Sequence, residues 1–336
     1  MKGQTFTLWL NPNRAGERRI LEYLAGLPAR QRSATVKQVL LQYVARAARA
    51  VIRLENQSNG RQSSAKSVAN LLAGLTPLEL EVLEEVARHP FLSCRDLTRL
   101  LDTHSEREMR RRLASLRHAS ALSIKPVGHG QYLYVIGPAG LRILSGHWNE
   151  TVASLRRRLQ IGPRQFGFLQ HTVEVNRFFL ALLDTGRSNE GHALEVWRSE
   201  GESRLTVTRG VRKRALRPDG YGVYRVGERV YPFLLEWDRG TAVLSKYRQK
   251  FALYADYYAG LVRQSNRIAV PALWVVTVNE GRVEAIFNAS QSLKRRIGFD
   301  LPIMVTTVQR LEMKGVTGSV WSTPYSQAGV CFYGDT

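Results

Sequence analysis

Asp219, Glu236 and Asp238 are the side chains of this chain whose types and spacing suit them to act together. They belong to Arg217-Pro218-Asp219-Gly220 and Glu236-Trp237-Asp238-Arg239-Gly240-Thr241, followed by a segment carrying Lys246, Lys250 and Tyr254. Tyr221 to Arg225 and Arg229 to Glu236 read as two β-strands joined by a turn at Gly227-Glu228. Asp219 then opens the first strand. Glu236 and Asp238 close the second, two residues apart and on one face. Carboxylates gathered at one sheet edge repel unless protons or a hard cation neutralise them, and Mg²⁺ (or Mn²⁺) is the usual occupant. Lys246, Lys250 and Tyr254 recur every four residues, so they share a helix face able to return to those strand ends.

In a metal-dependent nuclease, Asp219 and Glu236 would hold the cation, with Asp238 as a third ligand or water-orienting base. Lys250 would polarise the nucleophile or hold the scissile phosphate. Glu200, beyond a strand expected at Ala193 to Arg198, can add a carboxylate or be an ordinary loop acid. The bland alternative leaves Asp219 in a Pro-Asp-Gly turn and pairs Glu236 and Asp238 with Arg239 and nearby arginines.

The order Pro-Asp, then an acidic-x-polar triplet at a strand end, resembles the PD-(D/E)xK nuclease superfamily. Arg-Pro-Asp-Gly, Leu-Glu-x-Asp-Arg-Gly-Thr and a later Lys-x-x-x-Tyr together resemble the bacterial plasmid replication-relaxation proteins, over roughly residues 76 to 300. The chain departs from the general pattern where Asp238 replaces a lysine. The resemblance assigns that charge to Lys250. It also implies an α/β restriction-endonuclease-like domain and a histidine, then an asparagine, in the helix expected at His171 to Leu183. By that likeness His171 lines the site, with Asn176 after it; a histidine that merely caps the helix is the other reading.

Charge supports a polyanionic partner. The chain carries 49 Lys+Arg against 28 Asp+Glu, a formal net charge of +21. Double-stranded DNA is the default partner for such a field. An anionic membrane competes, but no basic amphipathic helix and no membrane-length apolar run stands out. Hydrophobic residues make up 44 %, enough for real cores. Two distant cysteines, Cys94 and Cys331, give neither a disulfide framework nor zinc spacing. Without a signal-peptide pattern, a cytoplasmic, DNA-associated bacterial protein is expected. No P-loop is present, so no small-molecule cofactor is expected. A tyrosine relaxase stays open through Tyr254, Tyr257 and Tyr258, though its usual histidine pair is lacking.

The elements that must position these residues follow in order. Thr5 to Leu10 alternates as a short strand, and two helices follow from about Ala15 and Ser33. This strand-helix-helix resembles a ribbon-helix-helix unit, which implies a homodimer or higher oligomer with Thr5, Thr7 and Trp9 facing bases. A strand and helical hairpin docked on the body is the equal alternative. Residues 56–72 are polar and read as a linker. Thr76-Pro77-Leu78-Glu79, Ser93 to Asp96 and Ser105 to Glu108 are three helix starts with an acid three residues after the cap. With two strands around Gly128-His129-Gly130 they suggest a winged helix-turn-helix. Its recognition helix would carry Arg107, Arg110, Arg111, Arg112 and Arg117. A second basic stretch, with Arg212, Lys213, Arg214 and Arg217, precedes Asp219 and can hold a phosphate backbone.

The expected fold class is therefore α+β and multidomain. A strand-helix-helix unit (1–55), the linker, a winged helix-turn-helix (73–160), a PD-(D/E)xK-like domain (161–314) and a loosely ordered Gly/Ser/Thr-rich extension (315–336) follow one another. The function expected is DNA binding for a plasmid or mobile element. Mg²⁺-dependent endonuclease or nickase activity in replication, relaxation or mobilisation would accompany it. The alternative is a non-catalytic replication or transcription regulator with an inactive nuclease-like domain.

Overall fold

The computed structural model describes residues 74–128, 131–209, 212–241, 243–264 and 270–333. Thr5, Thr7, Trp9, the strand-helix-helix unit, the linker and the His129-Gly130 turn lie outside them. Ala73–Ser145 and Glu150–Thr336 cluster as one compact unit, which is the unit described here. Among the described residues the fold is mixed α+β with nine α-helices, and no helix is long and apolar enough to cross a membrane.

The first portion grows from its caps. Thr76 and Glu79 exchange hydrogen bonds to start α1 (Pro77–Arg88), and Ser93 and Asp96 do the same for α2 (Cys94–Leu100), with β1 (Leu92–Ser93) between. Ser105 caps α3 (Glu106–His118), but the reciprocal bond expected of Glu108 is replaced: its carboxylate accepts from Arg111 and Arg112. β2 (Leu122–Gly128) and β3 (Gln131–Ile136) form a hairpin, and β1 pairs with β3 to make a three-stranded sheet. Val82, Leu83, Val86, Leu97, Met109 and Leu113 are buried beneath it. Helices α4 (Pro138–His147) and α5 (Val152–Arg158) follow.

The second portion is a seven-stranded mixed sheet. A 3₁₀ turn, Pro163–Phe168, leads into α6 (Leu169–Ser188) and β4 (His192–Ser199). A separate hairpin, β5 (Leu205–Arg209) and β6 (Arg212–Leu216), precedes β7 (Gly220–Val226) and β8 (Arg229–Trp237). Then come α7 (Leu244–Gln264), β9 (Ala272–Thr277), α8 (Glu280–Ile297), β10 (Ile303–Thr307), α9 (Val308–Lys314), β11 (Trp321–Thr323) and β12 (Ser326–Val330). Strand order is β12-β11-β10-β9-β8-β7-β4, with β8, β9 and β10 parallel and the flanking pairs antiparallel. Gly227 (φ 55°) makes the tight turn between β7 and β8.

Strand alternation assigns the sheet's two faces. Leu234, Leu273, Val275 and Val305 pack with Tyr247, Phe251 and Tyr254 of α7 and Ile286 of α8. Phe233, Leu235, Trp274 and Val276 pack with Val175, Phe178, Phe179 and Leu182 of α6. Gly220 and Gly222 admit that second layer, since a Cβ at either would meet Phe179 or Phe233 at 2.6 Å or less. The α8 helix begins at Glu280 because the Asn279 side chain caps it, accepting from the Arg282 N–H. The two portions expected at 73–160 and 161–314 are bonded directly. Asn176 Nδ2 donates to the Pro90 carbonyl at 2.8 Å, His89 stacks on Trp197 at 3.8 Å, and Arg99 pairs with Asp184.

The expected loose extension after Gly315 is instead part of the sheet. Its polar composition hides two aromatic anchors: Trp321 is fully buried against Trp274 (centroids 4.8 Å apart), and Phe332 lies 4.6 Å from the same ring. Trp321→Ala should therefore cost about 3–5 kcal/mol in urea unfolding of the full chain. A loss under about 1 kcal/mol would detach this segment from the core.

Candidate active site

Sheet alternation also divides the end of β8 into two chemistries. Leu234 faces α7, so Glu236 faces α7 as well, while Leu235 and Trp237 face α6. Glu236 is 4 % exposed, and its two oxygens meet Lys250 Nζ and the Tyr254 hydroxyl, one turn apart on α7. The every-fourth spacing thus brings Lys250 and Tyr254 to the strand end as expected. Lys246, at the exposed start of the same stripe, lines only the cleft mouth. Burial pushes the Glu236 carboxyl up to about 7 against the pull of Lys250. Burial works against charge on Lys250 too, but Glu236 and Asp219 outweigh it and hold the ammonium above its ordinary pKa.

Asp219 stands one residue before β7, fixed by its own N–H to the Leu235 carbonyl at 2.9 Å. One carboxylate oxygen, Oδ2, accepts from the Trp237 backbone N–H at 2.7 Å and from His171 Nε2 at 3.2 Å. Burial alone would raise this carboxyl. The Lys250 charge, then His171 and the Trp237 N–H, hold it below the usual carboxylate range. His171 sits in the first turn and a half of α6. Burial opposes its charge, yet the bond to and charge of Asp219, with Glu200 adding, raise its pKa. Glu174, one turn on, is spent elsewhere: it accepts from Trp237 Nε1 at 2.9 Å and pairs with Arg239 at 3.2 Å.

Asp238, expected as a third ligand or water-orienting base, has both oxygens engaged. Oδ2 accepts from Arg282 Nε at 2.7 Å and Thr277 Oγ1 at 2.8 Å, and Oδ1 accepts from the Gly240 N–H at 2.8 Å. Burial would raise its pKa, but these donors hold it low. In this setting Asp238 anchors the β8–α7 loop to the start of α8, whose Arg282 also lies 4.9 Å over the Tyr247 ring. The same-face reading of Glu236 and Asp238 stands; the partner of each differs. Among the described residues no three His, Cys, Asp or Glu side chains converge as a metal-holding group. Lys250 compensates Glu236 and bears on Asp219, while Arg282 compensates Asp238.

These groups line a cleft of about 710 Å³ at the carboxyl ends of the parallel strands, the usual crevice of such sheets. Arg88, Arg217, Arg239 and Lys246 line it as well, and so does half-buried Glu200. The other predicted basic residues lie apart. On α3, Arg107 and Arg117 are exposed, Arg110 pairs with Glu106 at 3.2 Å, and Arg111 pairs with Glu108 at 2.9 Å. Arg112 turns inward to Thr76 Oγ1 at 3.1 Å and to Glu108 at 2.9 Å, tying α3 to the start of α1. Arg212 opens β6, on which Lys213 and Arg214 are exposed.

Sequence reasoning missed Arg282 and Thr277. The one available signal was the Asn279 cap, which places Arg282 in the first turn of a helix starting at the carboxyl end of β9. Asp238→Ala should leave Arg282, itself 14 % exposed, without its carboxylate, and lower stability by about 3 kcal/mol. Asp238→Asn, which keeps acceptor oxygen and size, should lose about half of that. Urea unfolding of both variants tests this, and an unchanged midpoint for Asp238→Ala would remove the anchoring role.

No curated protein matches the chain. A family model described as replication-relaxation matches residues 83–273, more than half of the 336 residues. The match spans α1 through β9 and so takes in Asp219, Glu236, Lys250 and His171. The chain belongs to the replication-relaxation family.

Proposed function

We propose that this protein binds double-stranded DNA of a plasmid or mobile element and cuts or nicks it at the Asp219–Glu236 cleft, in the service of replication, relaxation or mobilisation. The observation that carries this reading is the shared cation. Lys250 bonds Glu236 and its charge bears on Asp219, at the base of a cleft rimmed by arginines. Carboxylates kept from repelling phosphate by a half-buried lysine, in a cleft lined by arginines, suit a phosphodiester better than a neutral substrate.

The donor set fits a loosely held Mg²⁺, which commonly takes one or two carboxylates and fills the rest of its shell with water and phosphate oxygens. Asp219 Oδ1 has no hydrogen-bond partner among the described residues, and Glu236 stands beside it on the adjoining strand. These two residues would hold the ion, which when bound would supply charge neutralisation and water activation. Lys250 would steady a non-bridging phosphate oxygen. His171, whose pKa the bond to and charge of Asp219 raise, would give a proton to the leaving oxygen as water's oxygen bonds to phosphorus and the P–O bond breaks, the proton shed by that water passing to solvent. Arg217 and Arg239 would hold the flanking backbone.

For DNA engagement we read α3 and the β2–β3 hairpin as a winged helix-turn-helix. Arg107 and Arg117 are exposed for contact, and the surface pairs of Arg110 and Arg111 are weak enough for phosphate to displace. Arg112 serves the packing of α3. The second reading, a non-cutting regulator, is favoured by one observation: Asp219, Glu236 and Asp238 each already have a protein partner.

Supercoiled plasmid incubated with the full-length protein in Mg²⁺, Mn²⁺ or EDTA separates the two. Nicked or linear product in Mg²⁺ is expected from wild type and none in EDTA. Asp219→Asn and Lys250→Ala should lose at least about a hundredfold in rate, with Lys246→Ala milder. If wild type and Asp219→Asn leave plasmid equally uncut in both metals, the nuclease reading falls and the regulator takes its place.

A further inference from the structure

Next to the cleft lies a second concavity of about 620 Å³ whose lining is unusual in charge. Five arginines, Arg157, Arg158, Arg198, Arg204 and Arg217, face two acids, Glu150 and Glu202. The acids are already used. Glu150 takes Arg158 in a forked pair at 2.8 and 3.0 Å, and Glu202 lies within 4 Å of both Arg88 and Arg158. Arg157, Arg204 and Arg217 are exposed and make no ion pair among the described residues, while Arg198 lies 5.5 Å over the Tyr221 ring. Exposed and without an acid partner among the described residues, Arg157, Arg204 and Arg217 contribute little to the fold. Their surplus positive charge needs another use.

The notch is a built feature. Its arginines come from α5, from the end of β4 and from the residues just before β5 and just after β6. The turn at residues 199–203 presses on the end of α5 so closely that a Cβ at Gly201 would meet the Arg158 carbonyl at 2.7 Å. Glu202 N–H and Ser203 N–H both return to the Ser199 carbonyl, closing that turn. The notch is also continuous with the cleft: Arg217, Gln160 and Gly201 line both. A small anion would call for donors converging on one point. Arginines strung along a groove that runs into the candidate site match a run of phosphates on one chain.

We infer that this notch is a second backbone subsite, seating the phosphates that flank the one at Asp219 and Lys250, so that the nucleic-acid strand passes from the cleft over Arg217 to Arg157 and Arg204. The inference rests on the reading of the cleft as a nucleic-acid site. Neither the motif at Asp219 nor the arginines of α3 would have located it. It adds a length requirement: a strand too short to reach the notch forfeits these arginines.

The test uses fluorescein-labelled oligonucleotides of increasing length, titrated with full-length protein by fluorescence anisotropy between about 50 and 200 mM KCl. The Arg157→Ala/Arg204→Ala double variant should bind long oligonucleotides at least about tenfold more weakly at the low-salt end. Its log affinity against log salt should be shallower by about two, one for each phosphate that an arginine no longer neutralises. The Arg157→Lys/Arg204→Lys variant should keep most of the slope, and thermal unfolding of both should match wild type, since the residues are exposed. For oligonucleotides too short to span both concavities, wild type and the alanine variant should coincide.

Unchanged affinity and slope in the alanine variant, with Arg107→Ala/Arg117→Ala clearly weakened, would overturn this subsite while leaving DNA binding by α3 intact. Affinity independent of oligonucleotide length and fully competed by inorganic phosphate would overturn it in favour of a small-anion site. Absence of wild-type binding to any oligonucleotide would overturn it together with the function it rests on.

Discussion

The contact on which this structure depends is the ammonium of Lys250 set between Glu236 and Asp219. A carboxylate buried to the extent of Glu236 is expensive unless a charge or proton meets it, and no residue of its own strand can do so. The compensating cation must come from a different element, at the tip of a long side chain on α7. That helix is consequently pinned to the end of β8 by Lys250 and Tyr254 as well as by Phe251, Ala255 and Tyr258 in the apolar layer. Apolar burial gives α7 its face, and the ion pair gives it its register.

The same alternation that makes the sheet's two cores sorts the polar groups at its edge. Odd positions at the end of β8 turn to α6, where Glu174 takes the Trp237 indole; even positions turn to α7 and α8, where Lys250 takes Glu236 and Arg282 takes Asp238. Asp219 sits between the layers because it precedes its strand, and it bridges them by accepting from a β8 backbone N–H and an α6 imidazole. Each layer therefore sends polar side chains to the cleft: His171 from α6, Asp219 and Glu236 from the sheet, Lys246 and Lys250 from α7. This makes the site a product of all three layers, not of a single loop.

The parts legible in the sequence were those governed by local rules. Caps at Thr76 and Ser93, the Gly227 turn, the every-fourth stripe of Lys250 and Tyr254 and the placement of Asp219 and Glu236 at neighbouring strand ends all follow from spacings within one or two elements. What escaped was non-local. Asp238 meets Arg282 across 44 positions, and Asn176 meets the Pro90 carbonyl across 86; neither spacing leaves a periodic trace. The last strands were misread for a different reason. Their Gly, Ser and Thr content is that of a loop, but the burial energy resides in Trp321 and Phe332, and two aromatic rings hold an edge that propensity would leave loose.

An acid at position 238 has a consistent physical logic. A lysine at that position would share its face with Glu236 and would leave Arg282 and the start of α8 without a carboxylate. Supplying the ammonium from α7 keeps a cation beside Glu236, because the four-carbon stem of lysine spans the gap from helix to strand end. It also frees the strand position for an acid that locks the Gly240 turn and α8 through Thr277, Arg282 and a backbone N–H. The ammonium beside Glu236 thus comes from the helix, and that source couples helix docking to assembly of the strand end. An α7 helix not seated on the sheet would leave Glu236 uncompensated and Asp219 held by His171 and the Trp237 N–H alone; seated, it brings the Lys250 charge to both.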